Sequence, residues 1–149
     1  MNTNTFFALW LEARTRFSNQ LTNITEADLI KKLGGSPNSA GFLLRHIADV
    51  ELLFAKNVFG QSDVNVHART VSTRHDTGEW TNLPELLDYQ QYAFDCLQKA
   101  ILAQSADDWQ TEITTQEFGT KTKAEALGRI VSHTAYHAGQ LAIVLKYGA

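Results

Sequence analysis

Apolar residues recur every three to four positions in four long stretches of this chain, the spacing that lines side chains along one face of an α-helix. The first, over about residues 5–20, carries Phe6, Leu9, Trp10, Phe17 and Leu21 near one stripe. A short helical turn over about 26–33 leads into the break Gly34-Gly35-Ser36-Pro37. The second helix is expected over about 39–59, with Leu43, Val50 and Leu53 on its stripe, Asn38 as N-cap and Gly60 as its end. Asn82-x-x-Glu85 has the form of a capping box and opens the third helix, which runs through Leu86, Phe94, Leu97 and Ile101 to about residue 104. Thr122-x-x-Glu125 opens the fourth, which continues to Tyr147 with Gly148 as the stop. Residues 61–81 are polar and aperiodic, and extended they could run the length of a helix, so the second and third helices need not be antiparallel neighbours. Residues 105–121 hold a candidate small hairpin. The class expected is all-α, in a single domain over residues 1–149.

The fourth helix carries the chemistry. His133 and His137 stand four residues apart, hence on one face and about 6 Å apart along the axis. That spacing lets two imidazoles reach one ion with metal–nitrogen bonds near ~2.1 Å. His46, inside the apolar stripe of the second helix, points inward with it, and an imidazole in a core needs a partner. Two readings stand on spacing alone. Three inward His form an open metal site, or His133 and His137 share a face by chance while His46 is a core residue bonded to a backbone carbonyl.

Composition narrows the rest. The net charge is −3 with a pI near 5.9, and no more than two Lys or Arg adjoin, so a nucleic-acid footprint is not expected. The lone Cys96 excludes an intramolecular disulfide and reads as a small buried hydrophobe within the third helix. No stretch approaches the ~20 apolar residues that span a bilayer, and the apolar run 6–11 lacks a basic flank, so a soluble cytoplasmic protein without a membrane partner is the default.

Taken together, Leu44-Arg45-His46-Ile47-Ala48-Asp49-Val50-Glu51, the turn Gly78-Glu79-Trp80 before Leu83-Pro84-Glu85-Leu86, and His133-x-x-x-His137-Ala138-Gly139-Gln140 resemble the DinB/YfiT-like superfamily of metal-dependent enzymes over nearly the whole chain. The resemblance implies a four-helix bundle with long crossover connections and one divalent metal ion, Zn or Ni, on His46, His133 and His137. It also implies a homodimer. By resemblance the activity is thiol transfer or hydrolysis on a small electrophilic substrate, with a low-molecular-weight thiol as cosubstrate in the former. The alternative is a non-enzymatic, stress-associated metal-binding bundle that serves as a binding or interaction protein.

Around these ligands a helical wheel puts Arg129, Tyr136 and Gln140 within about 60° of His133, as candidates for the substrate pocket wall. Arg129 suits an anion, or is simply solvated; Tyr136 and Gln140 suit a hydrogen bond to substrate or to a ligating His, or helix packing. Asp49, one turn from His46, is a candidate to orient it, or a surface Asp. Glu51 reads as solvated, His67 and His75 as solvated loop residues, and Trp80 and Trp109 as loop anchors. No general base can be named from the sequence.

Overall fold

The computed structural model describes residues 2–149. Its elements follow the apolar periodicity closely. Helix α1, Thr3–Leu21, is capped by the Asn2 side chain, and α2, Ala40–Leu53, passes directly into one π-helical turn, Phe54–Val58. A four-residue helix α3, Arg69–Ser72, lies in the long connection, followed by α4, Leu83–Leu102, and α5, Lys123–Tyr147. The turn after α1 is a 3₁₀ segment, Glu26–Ile30, and a second one, Asp108–Gln110, precedes an antiparallel hairpin of β1, Glu112–Thr115, and β2, Gly119–Thr122. The chain is thus mostly helical with one small two-stranded sheet rather than purely all-α.

The end signals act largely as their chemistry requires. Thr122 and Glu125 form a reciprocal capping box on α5, and Asn82 accepts from the Glu85 backbone N–H at the start of α4. For α2 the cap is Ser39, not Asn38: its hydroxyl accepts from the Phe42 N–H at 3.1 Å, one residue closer to the helix than the expected cap.

The four long helices pack in a ring of contacts, α1 on α4 and α5, and α2 on the same two. α2 and α4 are packed neighbours that run parallel, Gln90 bonding at Leu44 and Gln104 at Phe59, and residues 61–81 return along the length of α2 and lay α3 against it, as the connection's length allows. Two apolar clusters fill the interior. One gathers Trp10, Leu52, Phe54, Leu97, Trp109 and Ile130, the other Phe17, Leu29, Leu44, Ile47, Leu141 and Val144. Each long helix also contributes a buried polar residue: Arg14, Glu51, Gln90 and Thr134.

Glu51 overturns the expectation of a solvated residue. It is fully buried and takes the Arg14 guanidinium in a two-point pair at 2.8 and 2.9 Å, while Arg14 also donates to Gln90 and Ser18. A charge buried to this degree persists only with such a partner. Leu9, placed on the buried stripe of α1, is instead 61 % exposed. Cys96 is half-buried rather than buried. Trp109 is sealed between Phe6 and Phe59 with its indole N–H donated to Thr3, and Trp80 packs under the Arg45 guanidinium. The Trp80 segment lies so close to α2 that only glycine fits at position 41, where a Cβ would overlap the Trp80 carbonyl oxygen.

Candidate metal centre

α2 and α5 pack together, and the inward faces of both bring His46, His133 and His137 to one point. One ring nitrogen from each lies within 4.8 Å of the other two, and the Nε2 atoms of His46 and His133 are 3.2 Å apart. An ion held tetrahedrally at about 2.1 Å spaces its nitrogen ligands about 3.4 Å apart, so this separation fits the donor set. No fourth His, Cys, Asp or Glu joins the group among the described residues.

Hydrogen bonds fix which nitrogen is free. The Thr70 hydroxyl donates to Asp49 Oδ2 at 2.7 Å, so it accepts from His46 Nδ1 at 3.0 Å. His46 therefore carries its proton on Nδ1 and presents a bare Nε2. Gln140 Oε1 accepts from His137 Nδ1 at 2.7 Å, which leaves the Nε2 of that ring bare too. His133 Nε2 faces the bare His46 Nε2, and its Nδ1 is buried with no hydrogen-bond partner among the described residues. Lone pairs converging in this way repel one another unless a proton or a cation lies between them. The donor set, the spacing and the tautomers all suit a divalent cation.

Electrostatics keep the rings neutral, as ligation requires. Burial, then the neighbouring His137, lowers His46 to about 4 against the opposing pull of Asp49. Burial together with His137, His46 and Arg129 lowers His133 to about 3, and burial also lowers His137.

Asp49 is buried, and it acts on His46 through Thr70 rather than by direct contact. Its carboxylate also accepts from the Thr70 N–H, from the Tyr89 hydroxyl at 2.6 Å and from Arg45 Nε at 3.0 Å. Burial and the bond to Asp49 push the Tyr89 phenol up. Thr70 leaves no signal in the sequence, because it lies in a four-residue helix too short for a periodic trace.

A cavity of about 520 Å³ opens over His46 and His133. Its walls come from α2 and its π-helical turn, from Val71 of α3, and from the hairpin segment Thr115, Gln116, Glu117 and Phe118. Arg129, Tyr136 and Gln140 are not among its lining residues. Arg129 is half-exposed and paired with Glu117 at 3.5 Å, Tyr136 is 66 % exposed, and Gln140 is held by His137. The wheel described α5 alone, whereas the hairpin takes up that wall. His67 and His75 lie exposed and outside the triad.

Comparison with known proteins agrees with this architecture. The chain is 26 % identical over 141 residues to the uncharacterized protein YizA of Bacillus subtilis (strain 168), covering 93 % of this chain and 82 % of that protein. It is similar in fold to a crystal structure of a mutant mycothiol-dependent maleylpyruvate isomerase, with a TM-score of 0.69 and 18 % identity. That similarity covers 95 % of this chain but 61 % of the isomerase, so the chain spans less than two thirds of it. The family model of the DinB superfamily matches residues 9–141, and the chain belongs to that superfamily.

Proposed function

We propose that this protein is a divalent-metal-dependent enzyme in which His46, His133 and His137 hold one ion, Zn or Ni, beside a small-molecule cavity. The observation that carries the reading is the convergence of three neutral imidazoles, two of them with their outer nitrogens pinned so that Nε2 faces inward. A divalent ion on three uncharged ligands makes a thiol or water beside it a nucleophile near neutral pH. The chain's own part is positioning. Asp49 and Thr70 fix the His46 ring, Gln140 fixes that of His137, and largely apolar walls enclose the space above on several sides. Thiol transfer to an electrophilic substrate is the favoured reaction, supported by a fold shared with a mycothiol-dependent isomerase; hydrolysis is the second.

The non-enzymatic reading of a metal-stabilised bundle is disfavoured by the cavity. A structural site closes its fourth position with a protein ligand, whereas here a space of about 520 Å³ adjoins two of the three His. Metal-loaded protein screened with low-molecular-weight thiols against ester, amide and enoyl electrophiles should consume thiol only while the triad is intact. Absence of turnover and of thiol binding across the screen would return the protein to the binding class.

The ring of four long helices supports a four-helix bundle over the whole chain as a single domain. A second copy is supported by α5, which carries no Asp, Glu, Lys or Arg between Arg129 and Lys146 yet exposes Tyr136 and Ile143. Gly139 on the same helix meets nothing within 4 Å, so a helix-interior glycine costing ~1 kcal/mol has no packing reason within this chain. Close approach of a partner helix supplies one. A monomer by light scattering at micromolar concentration would refute the dimer.

A further inference from the structure

The cavity over His46 and His133 has a one-sided chemistry. Its walls are Val50, Leu53, Phe54, Val58, Val71 and Phe118, and its volume of about 520 Å³ is that of a small-ligand site. Among the described residues no Lys or Arg lines it. The formally charged residue among its lining is Glu117, and Arg129, 3.5 Å from that carboxylate, is not part of the wall. Asn57 and Gln116 contribute neutral amides. Asn57 stands in the π-helical turn that continues α2, a departure from α-geometry of the kind that recurs at functional sites.

We infer that this cavity takes molecules with an uncharged, largely apolar body and a hydrogen-bonding group that meets Asn57, and that it turns away anionic bodies. The inference rests on reading the cavity as the substrate chamber of the proposed enzyme, and adds the class of substrate. An anionic group entering between Val50, Val58, Val71 and Phe118 loses its hydration and finds no cationic side chain in return. Glu117, paired with Arg129, adds no net positive charge to the wall that would offset this loss. The Asn57 amide offers both a donor and an acceptor, which suits a hydroxyl, carbonyl or amide on the ligand.

Two ligands of one body separate the possibilities: 3-phenylpropanol, and 3-phenylpropanesulfonate, an anion that coordinates zinc weakly. Binding is read from the methyl resonances of Val50, Val58 and Val71, on metal-free and zinc-loaded protein, with zinc content measured on the same samples. The alcohol should bind metal-free protein about tenfold more tightly than the sulfonate does, with a smaller margin in the zinc-loaded state, where the ion supplies a cation beside the cavity. Glu117→Gln should narrow that gap, and Asn57→Ala should weaken the alcohol by roughly threefold or more. Val71→Trp, which fills the cavity from an exposed position, should abolish both sets of shifts. Sulfonate binding to metal-free protein as tight as that of the alcohol, or alcohol shifts that survive Val71→Trp, would overturn the inference. Loss of the preference in metal-free samples of a protein that takes up zinc removes this inference alone, whereas a preserved preference in protein that takes up no zinc upholds it and removes the metal reading.

Discussion

Thr70→Val isolates the link between the Asp49 carboxylate and the His46 ring. Valine matches threonine in shape, so the change removes one hydroxyl at a position that is 2 % exposed. Two bonds go with it: the acceptor for His46 Nδ1 at 3.0 Å and the donor to Asp49 Oδ2 at 2.7 Å. Asp49 keeps the Thr70 N–H, Tyr89 and Arg45, so its charge stays well met, whereas the His46 Nδ1–H loses its partner. An unmet buried donor costs about 1–3 kcal/mol, which sets the expected loss in unfolding free energy of the metal-free protein. Removing an outer partner of a ligating His lowers metal affinity about 10–100-fold, or about 1.4–2.7 kcal/mol. Competition for zinc against a chromophoric chelator measures the second quantity, and denaturant unfolding the first. Thr70→Ser, which restores the hydroxyl, should recover most of the affinity. Zinc affinity within twofold of the parent in Thr70→Val would refute the claim that Thr70 orients His46.

Other expectations follow from the same contacts. Glu51→Ala leaves the Arg14 guanidinium buried with only Gln90 and Ser18, and should cost about 3–5 kcal/mol, lowering the thermal midpoint by roughly 10 °C; an unchanged midpoint would show the pair to be dispensable. Gly41→Ala drives a Cβ into the Trp80 carbonyl and should destabilise by about 1–3 kcal/mol in denaturant unfolding, with larger changes in Trp fluorescence than the Glu51 variant gives. Acid should weaken the metal-free fold. The unfolded chain takes up protons on His near 6.5 while folded His46 waits until about 4 and His133 until about 3, so stability falls as pH drops from about 6.5 towards 4. The His46 contribution is at most about 3 kcal/mol, reduced by the ring's partial exposure. Unfolding midpoints constant between pH 7 and 4.5 would contradict the burial of neutral rings.

The helices and the His triad were legible because each leaves a local trace: apolar residues at helical period, capping residues three apart, and two His four apart on one face. What the sequence hid depends on partners distant along the chain. Glu51 looked solvated because its partner Arg14 lies 37 residues earlier, although a charged residue between Trp10 and Phe17 on an inward stripe was a signal available in α1. Thr70 contributes one hydroxyl from an aperiodic connection, and its role exists only where α3 folds back onto α2. Arg129, Tyr136 and Gln140 are candidates for a pocket wall on the geometry of a single helix, whereas the lining of the cavity over His46 and His133 depends on how the hairpin packs. The hairpin was anticipated as an element, but not its packing beside the site, so Glu117 and Phe118 went unnoticed.

The central claim is that three His side chains hold one ion with a position left open. Zinc titration of the metal-free protein, followed by X-ray absorption at the zinc edge, tests it most directly. The expected result is one ion per chain, three imidazole nitrogens near about 2.0–2.1 Å with one further light atom, and loss of this binding in His133→Ala while the helical circular dichroism is retained. Less than stoichiometric uptake, a fourth side-chain ligand, or equal zinc affinity in His133→Ala would contradict the account.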